Sequence, residues 1–303
     1  MNVRVSDVTA VLKGASLAST MAAVEAALEP RPVTEVPTEV KVGVDLGTAF
    51  TVVVVLDAHD TPLAVASERA DVVRDGVVTD FMGAVDVVRR LRAEVELRLG
   101  VGLTSAHGAH PPGVGTGEVN AVRHVIEGAG LDCSGLVDEP SAANAVLDLR
   151  DGAVVDVGGG STGVAVLADG CVVHTADEPT GGTHLSLVIA GALGISLEQA
   201  EVLKTDPDEQ ARLLPVVRPV MEKVATIVTR STVGWSMPEV CLVGGSVAFP
   251  GFAAAVEEAS GLSASVPVSP LYVTPLGIAM HAPVRAPGPS SAPTLAHSRR
   301  VPS

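Results

Sequence analysis

The sequence predicts an α/β protein made of two similar lobes facing each other across a cleft. The first observation is residues 153–166, AVVDVGGGSTGVAV, which read as a strand, a tight glycine turn and a second strand. The second is residues 42–48, VGVDLGT, which repeat the order apolar strand, acid, glycine, hydroxyl, with another strand at 51–56. The two acids, Asp45 and Asp156, stand 111 positions apart, and long internal duplication marks paired structural units. The third is residues 240–246, VCLVGGS, where a strand again runs into glycines and a hydroxyl.

These turns carry chemistry. Gly158, Gly159 and Gly160 have no Cβ, so backbone N–H groups can converge on phosphate oxygens at close range. Ser161 and Thr162 add hydroxyls, and Asp156 at the strand end suits a metal ion held through its water shell. Taken alone, residues 153–166 are equally an ordinary hairpin. Recurrence of the pattern at Asp45, Gly47 and Thr48 makes a pair of hairpins able to clamp a polyphosphate between them.

Composition excludes several classes. A chain of 303 residues buries a substantial core in one or two domains. A net charge of −15 argues against nucleic acid or an anionic membrane surface as partner. Aromatic residues are 2% of the chain, too few for a base-stacking platform. The four lysines (Lys13, Lys41, Lys204 and Lys223) all lie outside glycine loops, so there is no GxxxxGK[ST] phosphate loop. Cys133, Cys171 and Cys241 are scattered, and are expected to be buried small residues in a reducing compartment. There is no apolar run of membrane-spanning length and no secretory signal pattern, so a cytoplasmic protein is expected.

Taken in order, residues 7–28 have helical periodicity, and 30–38 (PRPVTEVPT) form a proline-broken linker. Such a helix either packs on the parent domain or serves as an appendage that docks elsewhere. Strands are expected at 42–46, 51–56 and 63–67, and a turn at Asp75-Gly76. Residues 83–99 form an amphipathic helix with Val87, Val88, Leu91, Val95 and Leu99 inward and Arg89, Arg92, Glu94 and Glu96 on a solvated face. Residues 103–117 read as loop; their GxGxG lacks dinucleotide spacing, and His107 and His110 lack a third metal ligand. A helix at 118–129 precedes a short strand at 136–137 and a helix opened by Pro140-Ser141, which puts Glu139 at the helix entrance beyond the strand end; a plain N-terminal charge is the simpler account. In the second half a strand is expected at 171–175, and a helix from about His184. Ser196 and Gln199 form a capping box before 197–204, and a long helix spans 211–233 with Pro219 inside. Strands at 240–243 and 266–268 and helices at 252–260 and 274–280 follow, and the Pro/Ser/Ala-rich tail from 282 has a disordered composition.

Together the motifs form a set. Residues 42–48, 138–145 (DEPSAANA), 153–166, 240–252 (VCLVGGSVAFPGF) and 274–280 (TPLGIAM) stand in the order phosphate-1, connect-1, phosphate-2, adenosine and connect-2. In this the chain resembles the superfamily of actin, sugar kinases and DnaK-type chaperones over residues 40–281. Within it, residues 70–81, 154–166, 176–187 and 195–201 resemble the EutJ family, chaperone-like proteins of ethanolamine utilisation. The resemblance implies an actin-like ATPase fold, with two ribonuclease-H-like lobes (about 40–150 and 151–281), a reduced second-lobe insertion, and ATP with Mg2+ in the cleft. It implies that Asp45 and Asp156 organise metal and water, and that Glu139 lies beside the attacking water. Gly47, Thr48 and Ala49, with Gly158, Gly159, Gly160, Ser161 and Thr162, would hold phosphates. Gly244, Gly245 and Ser246 would face adenosine, and Glu222 would edge the purine. It further implies a client enzyme or a microcompartment shell protein as partner, with the 1–39 segment suited to targeting.

There are departures. Chaperone ATPases carry a lysine near the γ-phosphate, and here none occurs between Lys41 and Lys204; Arg74 is the nearest substitute on sequence grounds. About ten residues separate Lys204 from the long helix, far fewer than the adenine-flanking insertion of actins. The expectation is therefore nucleotide binding with slow turnover, as a chaperone or reactivating factor. The alternatives are a degenerate actin-like scaffold without ATPase activity, a filament-forming actin homologue, and a small-molecule kinase.

Overall fold

The computed structural model describes residues 5–74 and 76–289. The chain opens with α1 (Val5–Leu28). The first lobe follows as β1 (Lys41–Leu46), β2 (Phe50–Leu56), β3 (Pro62–Arg69), the small hairpin β4 (Val73–Arg74) and β5 (Val77–Val78), α2 (Phe81–Leu99), β6 (Ser105–His110), α3 (Thr116–Gly128), β7 (Asp132–Asp138) and α4 (Glu139–Leu147). The second lobe comprises β8 (Gly152–Val157), β9 (Thr162–Ala168), β10 (Cys171–Glu178), α5 (Gly182–Leu193), α6 (Leu197–Thr205), α7 (Pro207–Thr232), β11 (Glu239–Val243), α8 (Phe252–Ser260) and β12 (Ser263–Ser265). The chain then returns through α9 (Val273–His281).

The duplication read from the motifs extends to the whole sheet. One sheet has the order β3-β2-β1-β6-β7 and the other β10-β9-β8-β11-β12. In each, three antiparallel strands are followed by two parallel ones. Registers match as well: Asp45 pairs with Val52 and Asp156 with Gly163, each acid opposite the residue seven positions on.

The inner strands β2, β8, β9 and β11 are covered on both faces, so they are apolar runs without polar alternation. Val53 and Val55 point into a core under α2 and α3, whereas Val52, Val54 and Leu56 point into a core shared by the lobes. That shared core takes Val154, Leu167 and Val243 from the second sheet and is crossed by α4 and α9. The two helices touch closely: a Cβ on Gly277 would overlap the Ala142 carbonyl. α9 also lies on β1, with Gly43 so close that a Cβ there would sit 2.5 Å from the Ala279 nitrogen.

Several expectations are corrected. Residues 105–110 form an interior strand, β6, where a loop was expected. The segment SAHGAH has no β-branched residue, and at Gly108 packing leaves no room for a side chain; a Cβ there would sit 2.8 Å from both Ile126 and Leu136. The last strand is Ser263–Ser265, three residues before the expected 266–268. Glu96 belongs to the interior, where its carboxylate accepts from the Leu103 N–H (2.7 Å) and from Arg92 Nε (2.7 Å). Arg92 turns inward with it and also donates to the Leu103 carbonyl at 2.9 Å. α9 packs back on the first lobe, and residues 282–289 continue along it through bridges Val40–Arg285 and Gly102–Gly288, so the tail does not leave the fold at 282. Residues 290–303, and Asp75 of the expected turn, lie outside the described residues. Cys171 is exposed, Cys133 partly buried and Cys241 buried. α1 packs at home: Met21, Val24 and Ala27 are buried in the shared core.

Candidate functional site

The two repeated turns meet at the top of the cleft. In each, the glycine two residues after the acid donates its N–H to the carbonyl three residues on: Gly47 to Phe50 and Gly158 to Ser161, both at 3.0 Å. A Cβ on Gly159 would sit 2.9 Å from Ala49 Cβ and 3.5 Å from Thr48 Cβ, so the turns are in contact. Gly158 and Gly159 turn their carbonyls towards α5, where the Gly182 and Thr183 N–H groups hold them at 2.9 and 2.8 Å. A trans peptide points its N–H opposite to its C=O. The Gly159 and Gly160 N–H groups are therefore aimed the other way, as an anion-binding nest.

Below the turns lies a narrow cleft, open at its mouth. It is lined from the first lobe by Leu46, Thr48, Val78 and Glu139, and from the second by Asp156, Gly158, Gly159, Gly160 and Ser161. Glu139 opens α4. The simpler role, capping that helix, falls to its neighbour: Asp138 Oδ1 accepts from the Ser141 N–H at 2.9 Å, with Pro140 in the first turn. Glu139 is thereby left to face the cleft.

Carboxylates crowd this space. Burial, then the charge of Asp156, pushes Asp45 up to about 7. Burial raises Glu139 well above the usual range, with Asp156, Asp45, Asp177 and Asp138 adding repulsion. Asp156 is raised by burial and by Asp177, against a hydrogen bond from Thr274 Oγ1 at 2.7 Å that favours its ionised form. Asp177 was not singled out by the motif reading. Strand pairing brings it in, because Asp156 pairs with Gly163 and Gly163 with Asp177 across three strands. Among the described residues, no three acid, histidine or cysteine side chains converge closely enough to ligate one metal ion. A divalent cation nevertheless fits the charge of the donor set: Asp45 and Asp156 would hold it through water, and its charge would favour their ionised forms.

The third glycine turn packs against the second. Ser246 Oγ donates to the Gly158 carbonyl at 2.7 Å. Gly244, at φ +91°, lies against Asp156; a Cβ there would overlap the Asp156 carboxylate and sit 2.6 Å from the Val157 carbonyl. Thr162 is turned inward, donating to the Thr180 carbonyl at 2.6 Å, and supports the loop from behind. Glu222 is elsewhere, exposed on α7 and paired with Arg218 at 2.9 Å. Arg74 is exposed on the small hairpin.

A pair on α6 takes the place beside the glycine turns. Lys204 Nζ reaches the Gly182 carbonyl (3.2 Å) and Glu201 (2.8 Å), and Gly182 itself abuts Ser246. Arg69, at the end of β3, reaches across from the first lobe to Glu201 at 3.0 Å. The signal in the sequence was Glu201-x-x-Lys204, two opposite charges on one helix face after a glycine pair; its spacing from the turns is decided by the fold.

The ethanolamine utilisation protein EutJ of Salmonella typhimurium is 42% identical over 247 residues, spanning 81% of this chain and 87% of that protein. The chain belongs to the EutJ family. The Escherichia coli EutJ matches at the same identity and coverage. A solved EutJ from Carboxydothermus hydrogenoformans superposes with a TM-score of 0.84 at 44% identity, covering 88% of this chain and 99% of that one. Wider matches place the EutJ fold among actin-like ATPases. The FtsA cell-division family model matches residues 153–295 and the MreB/Mbl model residues 61–193. MreB 5 of Spiroplasma citri, solved bound to AMPPNP, has a TM-score of 0.64 at 15% identity, over 79% of this chain and 94% of that one. Among the described residues of this EutJ homologue, no single helix is long and apolar enough to cross a membrane.

Proposed function

We propose that this protein binds Mg–ATP between its lobes and acts in ethanolamine utilisation as a chaperone-like or reactivating factor, for a client enzyme or for microcompartment assembly. The observation that supports the reading most directly is an N–H nest at Gly159 and Gly160 sharing one cleft with the Glu139 and Asp156 carboxylates. The nest suits phosphate oxygens, and the carboxylates suit a hydrated divalent cation. A magnesium ion would supply charge neutralisation for the phosphates. Burial and repulsion favour the protonated form of Glu139, and positive charge entering the cleft would favour the carboxylate that can accept a proton from water. Lys204 is tied to Glu201 and the Gly182 carbonyl on the second-lobe wall, which leaves the phosphate end without a lysine and favours binding with slow hydrolysis.

The test is thermal melting with and without Mg–ATP, ADP and GTP, on the parent and on Asp156→Ala. A ligand that binds only the folded form raises the midpoint. The parent should shift upward with Mg–ATP, and Asp156→Ala should fold but lose the magnesium-dependent part. Equal shifts in both proteins would remove Asp156 from the site, and no shift at millimolar nucleotide would favour a scaffold without nucleotide chemistry.

A further inference from the structure

α1 stands outside the duplication: nothing before β8 corresponds to it. Yet it is tied to both lobes. On the first-lobe side the buried Arg98 guanidinium donates to the Ala27 carbonyl in the last turn of α1, and to the Val65 carbonyl of β3 at 2.8 Å. Those last-turn carbonyls have no partner within the helix, so a buried cation is a strong anchor for them. On the second-lobe side Ser269 Oγ donates to the Glu25 carboxylate. Between the two, Met21 and Val24 sit in the core shared by the lobes.

The Ser269 end leads directly to the candidate site. Ser269 is a non-glycine residue at φ +50°, ψ +52°, a left-handed conformation that surrounding contacts must hold in place. The next residue, Pro270, accepts the Gly244 N–H at 3.0 Å, and Leu271 Cδ1 lies 3.2 Å from where a Gly245 Cβ would be. Gly244 in turn backs Asp156. Next to Asp156 the two phosphate turns touch, Gly159 against Ala49. A polyphosphate enters between them only if the lobes move apart, and a helix fastened to both lobes resists that movement.

We propose that α1 is an internal strap that opposes nucleotide binding, and that occupation of the cleft loosens it from the second lobe. The proposal rests on the nucleotide reading above. Linkage makes it reciprocal: whatever weakens the strap tightens nucleotide binding by the same factor that nucleotide weakens the strap.

The experiment uses the full chain. Mg–ATP affinity is measured by calorimetry for the parent, Glu25→Ala, Ser269→Ala and Val24→Asp, and amide exchange over residues 17–28 is followed with and without Mg–ATP. Glu25 is exposed, so its variant keeps the fold even if Val24→Asp does not. Glu25→Ala and Ser269→Ala should each bind Mg–ATP about 3- to 10-fold more tightly, the worth of one such hydrogen bond, and exchange over 17–28 should quicken in the parent when Mg–ATP is added. Binding of equal strength in parent and variants, with unchanged exchange, overturns the strap and leaves the nucleotide site standing. No binding by any of the four proteins overturns the site and the strap with it.

Discussion

Replacing Asp45 by asparagine removes a charge that the folded protein holds at a cost. Free in an unfolded chain the carboxyl ionises near 3.8; in the cleft burial and Asp156 move it to about 7. Between those values the folded protein keeps a proton that the unfolded chain has lost. Stability therefore falls as pH rises through this window and levels off above it. A gap of about three units at about 1.4 kcal/mol each makes the whole loss about 4 kcal/mol. Asparagine has nearly the same shape and does not ionise. Asp45→Asn should match the parent near pH 4 and exceed it by about 2–4 kcal/mol at pH 8 in denaturant unfolding with a chelator present. The same variant should gain less from Mg–ATP, because the charge that welcomes the cation is gone. A difference between parent and variant that does not change from pH 4 to 8 would refute the claim that Asp45 is held among like charges in a dry site.

Three further outcomes follow from named contacts. Gly159→Ala inserts a Cβ 2.9 Å from Ala49 Cβ, so it should leave circular dichroism unchanged but weaken Mg–ATP binding in calorimetry; undiminished affinity would mean that the turns do not hold phosphate together. Arg69→Ala removes the ion pair to Glu201 that spans the lobes, and because Arg69 is largely exposed the stability cost should stay below about 1 kcal/mol. Stopped-flow release of a fluorescent nucleotide should nonetheless quicken, and an unchanged off-rate would show that the pair is not a latch. Native alkylation followed by mass spectrometry should label Cys171 first and leave Cys241, buried with its thiol pushed up to about 11, unmodified until unfolding.

How much of the site was legible depends on whether its signal was local. Asp45, Gly47 and Thr48 in one lobe and the 156–162 run in the other were readable because a strand, a turn without Cβ atoms and a second strand are specified by adjacent residues. Glu139 was readable as the residue after a capping acid and before Pro140. Asp177 was not, because only lateral strand pairing through Gly163 sets it beside Asp156. Glu201 and Lys204 were passed over in favour of Glu222 for the same reason: all three lie on helices, and a helix pattern does not say which end of the sheet it reaches. β6 was missed because SAHGAH lacks the β-branched signature a strand usually carries, and the space at Gly108 is filled by Ile126 and Leu136 from elsewhere in the fold.

The sequence on its own determined the two-lobed α/β plan, since turn chemistry and apolar strand runs act over a few neighbouring residues and the repeat declares itself by order. The tertiary structure decided the rest: contact between the two glycine turns, the burial and mutual repulsion that lift Asp45 and Glu139, the burial of Glu96, and the return of α9 to the first lobe. It also decided that α1 packs at home on β3, with Glu25 accepting from Ser269 of the second lobe. Each of these depends on distances between residues far apart in the chain, which shared packing fixes and local propensity does not contain.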